Sequence, residues 1–228
     1  MSSRSGAFSS SVGTKIVIGI TGFALFLYLV IHIAGNLIVF FGPDAFNAYA
    51  HTLESKTLLL RPIEVALLLI ILIHIFKTVW MFLSNQQARP VKYEMKKRAG
   101  SPSRKTLAST TMIVSGLWLL VFLLIHVKAF HDGWGHEYPL ADGGRDLYRQ
   151  ELETLSNPFL VGFYILSMVV VGSHLWHGIS SSLQSLGFDH PVWTPRVLTA
   201  GKVIAFLIAG GFIVIAVWAY LQGGGTAV

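Results

Sequence analysis

Five apolar runs, each long enough to cross a bilayer, constrain this 228-residue chain more than any other feature. They extend from Lys15 to Phe41, Leu58 to Leu83, Leu107 to Phe130, Pro158 to Leu183 and Val197 to Leu221. A helix needs about 20 apolar residues to span the hydrocarbon core. Backbone polar groups in lipid must be satisfied within the segment, so each run is predicted to be a transmembrane helix. Composition agrees: 53% of residues are hydrophobic and 12% charged, with a mean hydropathy of +0.62. The expectation is an all-α integral membrane protein forming one membrane domain over residues 1–228. The first run is longer than a signal-peptide core and lacks a small-x-small site before its polar exit, so it is expected to remain in the mature protein.

The net charge of +6 does not point to nucleic acid, because the basic residues cluster between the apolar runs. Arg89, Lys92, Lys96, Lys97, Arg98, Arg104 and Lys105 separate the second run from the third. The segment between the third and fourth carries Asp132, Glu137, Asp142, Asp146, Glu151 and Glu153 against Arg145 and Arg149. The bias of Lys and Arg toward cytoplasmic loops then places the N-terminus inside and the C-terminus outside a cell inner (cytoplasmic) membrane. Arg4, Lys15, Arg196 and Lys202 agree with that orientation.

Each of the first four runs carries a histidine deep inside it: His32, His74, His126 and His174. An ionisable group at membrane depth is costly and by default marks a site. At about 1.5 Å per helical residue, His32 and His126 lie toward the outer face, and His74 and His174 toward the inner face. Two layers of two histidines result, roughly 15 Å apart. Two facing imidazoles at one depth are what a six-coordinate b-type haem takes, since the porphyrin supplies four nitrogens and the protein two. Two layers therefore suggest two non-covalent haems, with iron held by His32 and His126 in one and by His74 and His174 in the other. The chain has no cysteine, which excludes disulfides, thiolate-bound clusters and covalent c-type attachment.

Thr21-Gly22 precedes His32 with the spacing at which Ser115-Gly116 precedes His126. This indicates two related helix pairs, first with second and third with fourth, and a peripheral fifth helix outside the four-helix haem bundle. Gly22, Gly35, Gly116 and Gly178 suit close approach to a macrocycle, and Gly201, Gly210 and Gly211 suit close helix packing. His177, one turn from His174, competes with it as ligand. His51, His131, His136 and His190 fall in predicted loops, where a solvated role is the usual one. Lys77 and Lys128 either snorkel to the interface or pair with haem propionates.

Several segments together resemble the di-haem cytochrome b membrane anchor of succinate dehydrogenase and fumarate reductase, in its single-chain, five-helix form. They are His32-Ile33-Ala34-Gly35-Asn36, Ala45 to Ser55, Leu155 to Tyr164, and His174 to Gly178 followed by Thr194-Pro195-Arg196. The resemblance spans nearly the whole chain. It implies the same ligand pairing and favours His174 over His177, because relatives place this ligand four residues before a glycine.

The resemblance also implies partners: a flavoprotein that oxidises succinate and an iron–sulfur protein, both docked on the cytoplasmic face. This chain would anchor them and pass electrons from the inner haem to the outer one and on to a quinone. Reduction on the outer side suits menaquinone as the favoured acceptor, because the membrane potential then helps to drive it. Quinone reduction needs groups that exchange protons, and His51, Glu54 and Glu64 are the candidates near the outer haem. Glu64 also follows Arg61 at helical spacing and can simply pair with it. Association of the complex into higher oligomers is permitted by small-residue helix faces. Competing readings are a cytochrome b anchor of hydrogenase or formate dehydrogenase type, and a haem-free transporter or anchor that uses the histidines for packing or proton relay.

Overall fold

A computed structural model describes residues 10–88, 107–131, 133–141, 144–188 and 190–223. Arg4, the basic run from Arg89 to Lys105, Asp132, Asp142 and Asp189 lie outside these residues. Among the described residues there is no β-strand, only an isolated bridge between Pro139 and Arg145. The helices are α1 (Ser11–Asn36), α2 (Pro43–Glu54), α3 (Thr57–Gln87), α4 (Leu107–Thr110), α5 (Met112–Phe130), α6 (Leu147–Leu155), α7 (Pro158–Ser185) and α8 (Trp193–Gly223). Five of them, α1, α3, α5, α7 and α8, are long and apolar enough to span a membrane. The chain is an all-α, multi-pass membrane protein.

Local sequence sets several of these boundaries. Ser10 caps α1 by accepting from the Gly13 amide at 3.0 Å, and Asn157 caps α7 by accepting from the Phe159 amide at 2.9 Å, with Pro158 in the first turn. Such side chains satisfy amides that a helix leaves open at its start. The apolar run after α1 ends in a 3-10 turn, Leu37–Phe41, and reverses at Gly42. Gly42 has φ +92°, a conformation open to glycine and strained for other residues.

Two short helices were not among the predicted spans. Residues Ala45 to Ser55, whose His51 was expected in a loop, fold largely as α2, so His51 stands on a helix. The acidic connection before α7 contains α6. The two are stitched together by Asn47, whose Nδ2 donates to Asp146 at 2.8 Å and whose carbonyl accepts from the Tyr148 amide at 3.0 Å. Asp146 in turn caps α6 through the Arg149 amide. α2 and α6 thus pack on each other, next to the ends of α1 and α5.

The densest core lies where α1, α7 and α8 meet, around Phe26, Met168, Leu175, Ile179 and Ile208. Small residues bring these helices together: Gly172 faces Ala209, Gly201 faces Ile179 and Gly211 faces Ile33, and even an added methyl would come within 3.1–3.2 Å of each neighbour. The fifth span, α8, packs along α7 and reaches α1. α3 is different. It packs on α1 and only lightly on α5, and none of its residues is buried.

Candidate functional site

The structure sets one histidine of α1 against one of α5. His32 on α1 and His126 on α5 have ring centroids 5.9 Å apart with planes at 88°. Aromatic side chains fix these rings. Tyr28 stacks on His32 at 5.4 Å and 14°, and Phe212 of α8 leans on it at 5.5 Å. Phe122 and Phe130 flank His126 at 5.4 and 5.1 Å. The Tyr164 hydroxyl lies 3.4 Å from His126 Nδ1, and the Asn36 amide lies 3.4 Å from His32 Nδ1.

In the second pair, His74 on α3 and His174 on α7 lie within electrostatic reach of one another. Each is held by a hydroxyl from its neighbouring helix. Thr21 Oγ1 is 3.0 Å from His74 Nδ1, and Ser115 Oγ is 2.9 Å from His174 Nδ1. Both hydroxyl protons are already committed to helix carbonyls, Thr21 to Val17 at 2.8 Å and Ser115 to Met112 at 3.0 Å. With those protons on the carbonyls, the hydroxyl oxygens can accept from Nδ1–H, the tautomer that leaves Nε2 with a free lone pair. That is how a neutral imidazole is prepared to ligate a metal.

The glycines beside those hydroxyls make room for the rings. A Cβ on Gly22 would sit 3.1 Å from His74 Cε1, and one on Gly116 would sit 3.7 Å from His174 Cε1. Gly35 serves another contact, the Tyr49 side chain of α2, and Gly178 faces open space. The spacing of the two repeats now has a geometric meaning. Thr21 precedes His32, and Ser115 precedes His126, by three helical turns, about 16 Å of rise. Each of α1 and α5 thus supplies a histidine to one layer and a hydroxyl–glycine seat to the other.

The remaining candidates separate. His51 and Glu54 line one cavity of about 530 Å³ with Ser55, His131, His136 and Arg145. Glu64 does not line it. Its carboxylate is 2.8 Å from Arg61. His177 lies a turn from His174 and is half-buried. Lys77 and Lys128 follow His74 and His126 by three and two residues, and each makes a contact of its own.

Sequence reasoning passed over the groups that close the end of the bundle. Gln150 is fully buried and donates to the Ala129 and Phe130 carbonyls at the end of α5, at 2.8 and 3.2 Å. Arg145 donates to the Phe130 and His131 carbonyls there, a cation where the helix dipole is negative. Glu151, 5% exposed, has its carboxyl pushed up to about 8 by burial. Their signal in the sequence was slight: a polar α6 reads as an exposed connection until its packing is known.

Comparison with protein-family models, with curated proteins and with solved structures finds no match for this chain.

Proposed function

We propose that this chain is the membrane-anchor cytochrome b of a succinate:quinone oxidoreductase, binding two b haems between its histidine pairs. In this reading it takes electrons from an iron–sulfur partner on the cytoplasmic face. It delivers them to a quinone, menaquinone in the favoured form, near the other face of a cell inner membrane. The observation that carries the reading is the His32–His126 separation of 5.9 Å between ring centroids. Two metal–nitrogen bonds of about 2 Å and two ring radii of about 1 Å span about 6 Å, so one metal fits between them. A metal here would have two protein ligands, which suits one whose other four come from a macrocycle.

Haem, when bound, supplies one-electron transfer. The chain's residues do the rest. Thr21 and Ser115 hold His74 and His174 with Nε2 free, so these rings are oriented before any ligand arrives. Tyr28, Phe122, Phe130 and Phe212 pack on His32 and His126, which restrains both rings. His51 and Glu54 line the cavity beside α6, where groups able to exchange protons serve a quinone head.

The test is a reduced-minus-oxidised spectrum of the purified protein, with haem extracted and counted per chain, then repeated for His74→Ala and His126→Ala. Two b haems, with each substitution disturbing a different one, is the expected result. A single haem would reduce one layer to packing. None would return the chain to the class of haem-free transporters and anchors.

A further inference from the structure

The two histidine layers differ in what stands behind their rings. For His74 and His174, each Nδ1 meets a hydroxyl at ordinary hydrogen-bond distance, Thr21 Oγ1 at 3.0 Å and Ser115 Oγ at 2.9 Å, and both hydroxyl residues are buried. For His32 and His126 the Nδ1 contacts are longer, 3.4 Å each, to the Asn36 amide nitrogen and the Tyr164 hydroxyl. Asn36 Nδ2 has no lone pair to offer a ring N–H, and it already donates to the His32 carbonyl at 2.7 Å. Among the described residues, short hydroxyl contacts to Nδ1 thus mark one layer and not the other.

Each of these hydroxyls stands on a helix whose own histidine belongs to the opposite layer. Thr21 shares α1 with His32, and Ser115 shares α5 with His126. Their protons have partners on those same helices: Thr21 Oγ1 is 2.8 Å from the Val17 carbonyl and 3.2 Å from that of Ile18, and Ser115 Oγ is 3.0 Å from that of Met112. This leaves oxygen lone pairs for the rings. Gly22 allows the approach, since a Cβ there would lie 3.1 Å from His74 Cε1. A ligating imidazole whose other N–H is accepted in this way is a more basic ligand. Greater basicity favours the more highly charged state of a metal, and so lowers its reduction potential.

We propose that Thr21 and Ser115 set the reduction potential of the His74–His174 layer, holding it below the value that the same two ligands would give without a hydroxyl behind Nδ1. This rests on the reading that the layer binds a haem. Both are positioning residues, each acting through an imidazole. Nothing is transferred at the hydroxyls, and the one-electron exchange is that of the function proposed above. Substitutions on α1 and α5 therefore act on the layer ligated from α3 and α7, and spare the layer whose ligands α1 and α5 themselves carry.

The experiment is a potentiometric titration of the haems in the purified holoprotein, for the natural chain, Thr21→Val and Ser115→Ala, with Thr21→Ser and Ser115→Thr as conservative variants. Thr21→Val and Ser115→Ala are each expected to raise the midpoint potential of the same haem, the one that His74→Ala disturbs, and to leave the other near its natural value. Thr21→Ser and Ser115→Thr should stay close to the natural chain. Two haems at unchanged potentials in Thr21→Val and Ser115→Ala would overturn the proposal and leave the haem reading standing. So would an equal shift in Thr21→Val and Thr21→Ser, which would trace to packing, and so would loss of that haem from both Thr21→Val and Ser115→Ala, which would make the hydroxyls groups that hold the ring and nothing more. Absence of haem from the natural chain would overturn both.

Discussion

Thr21 on α1 accepts a hydrogen bond from the imidazole of His74 on α3, with Oγ1 and Nδ1 3.0 Å apart. Ser115 on α5 does the same for His174 on α7 at 2.9 Å. Replacing Thr21 with Val keeps the shape and removes the hydroxyl contact to the ring. The expected cost is about 1–3 kcal/mol, read as a lowered thermal midpoint of the purified protein in detergent. Thr21→Ser should restore most of it. Equal midpoints for Val and Ser would mean that the hydroxyl does not hold the ring.

Gly35 has no space for a side chain, because a Cβ there would meet the Tyr49 ring and hydroxyl. Gly35→Ala is expected to push α2 away from α1 at a cost of about 1–3 kcal/mol. The double variant Gly35→Ala, Tyr49→Ala should be less destabilised than the two single effects added together. Strict additivity in that cycle would remove the contact as the cause.

Ser167 is fully buried, and its Oγ accepts from Trp118 Nε1 at 3.0 Å, joining α5 to α7. Ser167→Ala should orphan the indole N–H in an apolar setting and cost about 1–3 kcal/mol. Trp118→Phe in the same background should recover part of that loss. Equilibrium denaturation of the three variants decides it.

Glu151 makes stability depend on pH in a direction opposite to that of a paired carboxylate. Its native value of about 8 lies above the ordinary 4.5, so the folded chain holds the proton more tightly than the unfolded one. Stability from this group is therefore complete below pH 4.5 and is lost as pH rises toward 8, by up to about 5 kcal/mol. The difference in thermal midpoint between Glu151→Gln and the natural chain should be near zero at pH 4.5 and favour the variant at pH 8. A difference that stays constant across that range would contradict the burial argument.

The cavity that holds Glu54 with His51 leads to a functional prediction. If the proposed function holds, Glu54→Gln is expected to lower quinone turnover by about 100-fold, the low end of the range for a positioned proton donor, with the haem spectra intact. Glu64→Gln breaks the Arg61 contact of 2.8 Å and should leave turnover near that of the natural chain. Steady-state kinetics and optical spectra of the two variants separate these roles. Unchanged turnover in Glu54→Gln would remove it from the site.

The five spans and the four intramembrane histidines could be read from the chain alone, because apolar length and rise along an axis are properties of one helix at a time. Depth followed from them, and with it the grouping of His32 with His126 and of His74 with His174. The spacing from Thr21 to His32, repeated from Ser115 to His126, was visible, but its meaning was not. Which layer a hydroxyl serves depends on how its helix is rotated and on which neighbour it meets. Those are settled by small-residue contacts such as Gly22 against His74 and Gly172 against Ala209. α2 and α6 escaped for a similar reason: polar and short, they hold their places through Asn47, Asp146 and the capping of α5 by Arg145 and Gln150. The burial of Glu151 is the extreme case, since nothing in its local sequence distinguishes it from the exposed Glu153 two residues later. Only the packing of α6 among four other helices withdraws the one from water and leaves the other paired with Arg149 at the surface.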